Sequence, residues 1–112
     1  MNGGTFDYNQ YKIRDIAETI ERELNRQGTL KNRSDLWFDS NHYSEYPDDK
    51  FYPTYSLIVQ QIFKDAIEIL KKAEIYAERI DKYIANDDGE KYLIKKLDSD
   101  LKKLKDDQQE IA

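Results

Sequence analysis

The chain contains no cysteine. That absence removes disulfides, thiol nucleophiles and thiolate metal sites together. Its single histidine, His42, is almost as limiting, because a zinc shell without cysteine needs further imidazoles. Two prolines and four glycines are few for 112 residues, so little in the sequence forbids long helices. Long hydrophobic runs are missing too. The longest clearly apolar stretch is Leu57-Ile58-Val59, against the roughly 20 residues that a membrane-spanning helix needs. Residues 1–10 hold no apolar segment of the secretory type, and Asn2 stands where N-myristoylation requires glycine. The expected location is therefore the cytoplasm.

Charge of one sign is also lacking. The net charge is −5, spread evenly along the chain. Neither half carries a basic excess that could neutralise phosphates, so nucleic-acid binding is disfavoured. The acidic excess is too small to mark a DNA mimic. No dinucleotide fingerprint, P-loop, metalloprotease helix or nucleophile elbow occurs. The expectation is a non-enzymatic protein with no catalytic residue, no metal site and no cofactor.

What is present is charge and tyrosine. Charged residues make up 37% and hydrophobic residues 38%, which allows one domain with a thin core. Nine tyrosines suit half-buried surfaces and recognition sites better than a dry interior. Apolar spacing predicts an all-α chain of three helices. The first covers about 11–27, with Ile13, Ile16, Ala17, Ile20 and Leu24 on one stripe and Gly28 as its left-handed terminator. The second, the longest, covers about 54–85 and can be N-capped by Thr54 or Ser56. Val59, Phe63, Ala66, Leu70, Ala73, Ala77, Ile80 and Ile84 form a heptad seam along it. Ile62, Ile69, Tyr76 and Tyr83 recur every seven residues beside that seam, and Ile67 and Ile75 widen it. The third helix covers about 88–105, opened by a capping box of Asp87 and Glu90, with Leu93, Leu97, Leu101 and Leu104 facing back in an αα-hairpin.

Helices one and three together match the length of the long one, and are expected to cover it end to end. Residues 1–10 form an arm, and 106–112 a frayed tail. Residues 29–53 hold six aromatics, among them Trp37 and Phe38, and read as an ordered loop packed on the helices. The apolar face of the long helix is wider than two short helices bury. The strip left over is a seam for a homo-oligomer or a partner protein, unless the aromatic loop covers it.

Candidate recognition residues follow from the same reading. Gly3, Gly4 and Thr5 could turn backbone N–H groups toward an anion, or could simply be a mobile arm. Phe6, Tyr8 and Tyr11, interleaved with polar residues, look like a recognition surface. Arg79, the only arginine after residue 33, sits between Tyr76 and Tyr83 on the long helix. It holds either a carboxylate of its own fold, such as Asp81 or a loop acid, or a ligand phosphate or partner carboxylate. His42 with Glu45 reads as surface rather than as a metal site. An Asp87-Asp88-Gly89 calcium loop fails its register, since Ile84 and Lys95 would occupy positions that need acidic ligands.

Four strings occur in order: Gly3-Gly4-Thr5-Phe6-Asp7-Tyr8-Asn9-Gln10-Tyr11, Tyr46-Pro47-Asp48-Asp49-Lys50-Phe51, Tyr76-Ala77-Glu78-Arg79-Ile80-Asp81 and Asp87-Asp88-Gly89-Glu90. Together they resemble a family of small uncharacterised phage- and prophage-encoded proteins over nearly the whole chain. This chain departs from that pattern in having Lys82-Tyr83 where the family has a tryptophan after the Arg-Ile-Asp run. The resemblance implies a phage or mobile-element context and carries over no activity. The combined expectation is an interaction protein inside an infected bacterium that blocks a host defence component. The alternatives are a protein that sequesters a small nucleotide-like signal with the arm, Tyr8, Tyr11 and Arg79, and a structural helical adaptor.

Overall fold

In the structure, a computed structural model, residues 5–36 and 41–111 are described, the side chains of 108–111 excepted. They are mostly helical: α1 Gln10–Asn25, α2 Asn41–Glu45, α3 Leu57–Ile84 and α4 Glu90–Ile111, with 3₁₀ turns at Arg33–Asp35 and Pro47–Lys50. The three long helices answer to the three expected from apolar spacing. The short α2 was not expected, because five residues are too few to show a helical period.

Ser56 starts α3 by accepting a hydrogen bond from the Val59 N–H at 3.3 Å. Its end is set by Asn86, which takes a positive φ of 65°. Asp87 N–H then bonds back to the Lys82 carbonyl at 2.9 Å, and Asn86 N–H to that of Tyr83 at 3.1 Å. This paired closure satisfies two carbonyls that a helix end would otherwise leave orphaned. It also corrects the expected capping box: α4 begins at Glu90, so Asp87 lies in the connection and not at the cap. Past Lys105, where the apolar pattern ends, α4 continues to Ile111. Residues 90–111 contain neither glycine nor proline, and their leucines, lysines, glutamates and glutamines favour the helix.

α1 runs antiparallel to α3. Arg14 pairs with Glu74 at 2.5 Å, Glu21 with Lys71 at 2.5 Å, and the Tyr55 hydroxyl donates to Glu23 at 2.9 Å. α4 folds back along α3, where Arg79 meets Asp88 at 3.9 Å and Asp100 at 3.3 Å. The two outer helices therefore flank the same stretch of α3 around Glu74–Asp81, instead of covering it end to end. They do not pack on one another. With two helix–helix seams and no third, nothing closes a common core. Among the described residues the buried apolar side chains are only Ala17, Tyr43 and Tyr52. Ile16, expected on the buried stripe of α1, is exposed. The chain is elongated, 62 × 34 × 18 Å, with a radius of gyration of 19.4 Å. A compact chain of this length would have about 13 Å.

The segment between α1 and α3 folds on itself. Leu30 and Phe51 form an antiparallel bridge, and Lys31 N–H bonds the Lys50 carbonyl at 2.8 Å. α2 packs on the Pro47–Lys50 turn and on none of the long helices, while Tyr52 lies against Arg26 at the end of α1, its ring centre 4.0 Å from the guanidinium. The bridge closes the segment at its base, and local partners satisfy its buried groups. The Tyr52 hydroxyl donates to Asp35 at 2.6 Å and accepts from Asn32 N–H at 3.0 Å. His42 pairs with Asp49 at 2.8 Å. Trp37 and Phe38 lie outside the described residues. Gly28 has the expected positive φ, 69°, but sits three residues beyond the last helical residue. A Cβ there would also meet the Thr54 methyl at 3.3 Å.

Candidate binding site where the arm meets the long helix

Asp7 and Tyr8 have φ of 54° and 62°, both left-handed. A non-glycine residue in that region costs about 1–2 kcal/mol, and tyrosine tolerates it poorly. The turn persists because it is fastened at both ends to α3. Phe6 N–H donates to Asp81 Oδ1 at 2.9 Å. The Gln10 amide donates to Glu78 Oε2 at 3.0 Å and to Asp81 Oδ2 at 3.3 Å. Gln10 is 3% exposed and Asp81 6%, so these bonds form away from water. With its nitrogen committed to two carboxylates, Gln10 keeps a buried Oε1 with no hydrogen-bond partner.

This anchoring holds Tyr8 outward, stacked on Tyr11 with ring centroids 6.0 Å apart. Beside it lies an open depression of about 430 Å³, lined by Thr5, Phe6, Asp7, Asn9, Gln10, Ile13 and Ala77. A second hollow, of about 260 Å³, lies between α1 and α4 and is bordered by Tyr11, Arg14, Glu74, Glu78, Arg79 and Asp100. The Arg14 guanidinium lies 5.1 Å from the Tyr11 ring centre.

Acids dominate the electrostatics. Burial raises the Glu74 carboxyl above its usual range, against the opposing pull of Arg14. Burial also pushes Glu78 upward, but hydrogen bonds from Gln10 and Tyr11 and the nearby Lys82 outweigh it, leaving Glu78 lowered. Burial, then the charge of Glu78, raises the Tyr11 phenol. Because the folded-state value of Glu78 lies below the unfolded one, its contribution is present above the unfolded value of about 4.3. It is lost as pH falls through the folded value. Glu78→Gln should therefore lower stability at neutral pH and flatten the acid limb of a stability–pH profile. An unchanged acid limb would show that Glu78 does not hold the arm.

The structure brings Thr5, Phe6, Tyr8, Tyr11 and Arg79 to one end of the molecule, whereas Gly3 and Gly4 lie outside the described residues. Tyr76 and Tyr83 belong to a different, exposed side of α3. Arg79 is 7% exposed and faces Asp88 and Asp100, not Asp81. Asp81 serves the arm instead. Sequence reading missed Gln10, Glu74, Glu78 and Asp81. A signal for them existed: Phe63, Ile67 and Leu70 continue at helical spacing into Glu74, Glu78 and Asp81, so polar residues occupy a stripe that should be apolar. Gln10 likewise precedes Ile13, Ala17, Ile20 and Leu24. Polar residues on two facing buried stripes have to satisfy one another.

Among the described residues no helix is long and apolar enough to cross a membrane. No protein-family model matches the chain, and neither does a curated protein or a solved structure.

Proposed function

We propose that this is a non-enzymatic interaction protein of a phage or mobile element, acting in the bacterial cytoplasm by binding and inhibiting a host defence protein. The observation that carries the binding part is the arm. Tyr8, exposed and stacked on the half-buried Tyr11, rides on a strained turn whose fastenings, Gln10 and Asp81, are buried. Strain of this kind persists where the surrounding structure over-determines it, and it clusters at recognition sites. Tyr8 and Tyr11 offer rigid contact area with polar tips, the chemistry enriched at protein interfaces. The phage context rests on the resemblance of the four ordered strings.

A small nucleotide-like ligand is the second reading, favoured by the hollow between Tyr11, Arg14 and Arg79. It has less support, because both arginines already face acids of the same chain, Glu74 for Arg14 and Asp88 with Asp100 for Arg79. An anion would have to displace them.

The test is expression of the protein in bacteria carrying individual defence systems, followed by phage challenge. Wild type should restore plaquing on at least one strain by tenfold or more, and Tyr8→Ala and Tyr11→Ala should lose that effect, Tyr8→Ala while keeping the wild-type melting temperature. Equal restoration by all three proteins would move recognition away from the arm. No restoration on any strain would reject the counter-defence role.

A further inference from the structure

On the side of α3 turned away from the hollow between α1 and α4, the structure leaves an apolar strip open. Ile58, Ile62 and Ile69 are 75%, 58% and 65% exposed, and Tyr76, Ile80 and Tyr83 continue the line. Between them lie the half-buried Val59, Ala66 and Ala73. The full set, 59-62-66-69-73-76-80-83, alternates in steps of three and four, which is the seam of a coiled coil.

We propose that a second copy of the chain covers this strip, the two α3 helices pairing antiparallel about a two-fold axis passing between Ile69 and Ala73. Side-chain size selects that orientation. In a parallel pair identical residues meet, so Ala66 and Ala73 would leave gaps while Tyr76 and Tyr83 would collide with their own copies. Reversing one helix sets Tyr76 against Ala66, Ile69 against Ala73, Tyr83 against Val59 and Ile62 against Ile80. Large then meets small, and each layer holds a similar volume, as close packing requires.

Area agrees as well. The six large side chains and the alanines between them offer about 600 Å² per copy, enough to exceed the ~1,000 Å² total expected of a specific interface. The need for a covering layer is plain from the interior, whose buried apolar residues are Ala17, Tyr43 and Tyr52 alone among those described. In the pair, Asp81 of one copy lies level with Gln61 of the other, so the two arm sites stand about 30 Å apart along the axis. The strip and the arm share no residue, so the dimer stands or falls independently of the function proposed for the arm.

Light scattering on the full chain should give twice the 13.4 kDa chain mass. Ile69→Asp should raise the dimer Kd by about 100-fold or more, since it buries two carboxylates beside the axis. Its helicity should be unchanged, because Ile69 is exposed within one chain. Orientation is read from single thiols, as the natural chain has none. Mixing Ile62→Cys with Ile80→Cys should give a disulfide dimer that neither variant gives alone. A monomer mass at all concentrations up to about 100 μM overturns the proposal. So does an Ile69→Asp variant that still dimerises, or a disulfide dimer from either thiol variant alone.

Discussion

Replacing Arg79 with alanine is expected to destabilise the fold by about 3 kcal/mol, the lower end of what breaking a buried ion pair costs. The guanidinium ties α3 by charge to the connection and to the middle of α4, facing Asp88 at 3.9 Å and Asp100 at 3.3 Å. Removing it takes the guanidinium from Asp88 and leaves Asp100 with Lys96 at 3.6 Å. The low end of the range applies because those side chains are 16% and 26% exposed, so water recovers part of their solvation. For a domain of this length the melting temperature should fall by roughly 15 °C. Arg79→Lys should recover only part of the loss, since a single ammonium cannot serve two acids as a planar fork does. The deciding measurement is a double-mutant cycle with Asp100→Ala. If the two residues act together, the pair of substitutions will cost clearly less than the sum of the single ones. Strict additivity, or a melting temperature for Arg79→Ala within about 3 °C of wild type, would assign Arg79 a role outside the fold. The ligand reading would then gain what the structural one lost.

Asp81→Ala should cost about 2 kcal/mol, and its effect should be localised. Two terms oppose each other here. Charge-assisted hydrogen bonds are worth roughly 1.5–3 kcal/mol each, and Asp81 accepts from Phe6 N–H and from Gln10. Against this stands the cost of keeping a carboxylate that is 6% exposed out of water. The bonds win because the alternative strands a backbone N–H and half of a buried amide, with Glu78 as the remaining acceptor for Gln10. Without Asp81 the left-handed pair Asp7-Tyr8 is unfastened at its Phe6 end and held only through Gln10 and Glu78, so the arm should relax. Hydrogen exchange at the Phe6 amide should rise by orders of magnitude, while amides in the middle of α3 change only with global stability. Asp81→Asn keeps an acceptor for Phe6 but turns an N–H₂ group toward that of Gln10, and should fall between the two. Uniform acceleration of exchange along the whole chain would show that Asp81 supports the helices and not the arm.

The three long helices were legible because each carries its own period. The αα-hairpin was legible because the apolar period stops before Asp87 and resumes at Leu93; the structure places the turn on Asn86, one of few residues that enter the left-handed region without a large steric penalty. Local chemistry writes such features into a dozen neighbouring residues. The exposed line of Ile62, Ile69, Tyr76 and Tyr83 was legible for the same reason, as a heptad beside a heptad.

Pairing between distant residues was not. That Arg79 would face Asp88 and Asp100, leaving Asp81 to fasten the arm, depends on the rotation of α3 between its two neighbours. No spacing within one helix encodes that angle. The failure of α1 and α4 to meet is a property of three helices at once, as is the overlap of both on Glu74–Asp81. The 29–53 segment closed on itself because Lys31 and Lys50, nineteen positions apart, share a backbone hydrogen bond that side-chain patterns do not announce. The sequence by itself determined helix, period and hairpin, since those arise from interactions within a few residues. The tertiary structure decided which buried polar groups satisfy one another, because an unpaired donor or carboxylate takes the nearest partner in space, wherever it stands in the chain.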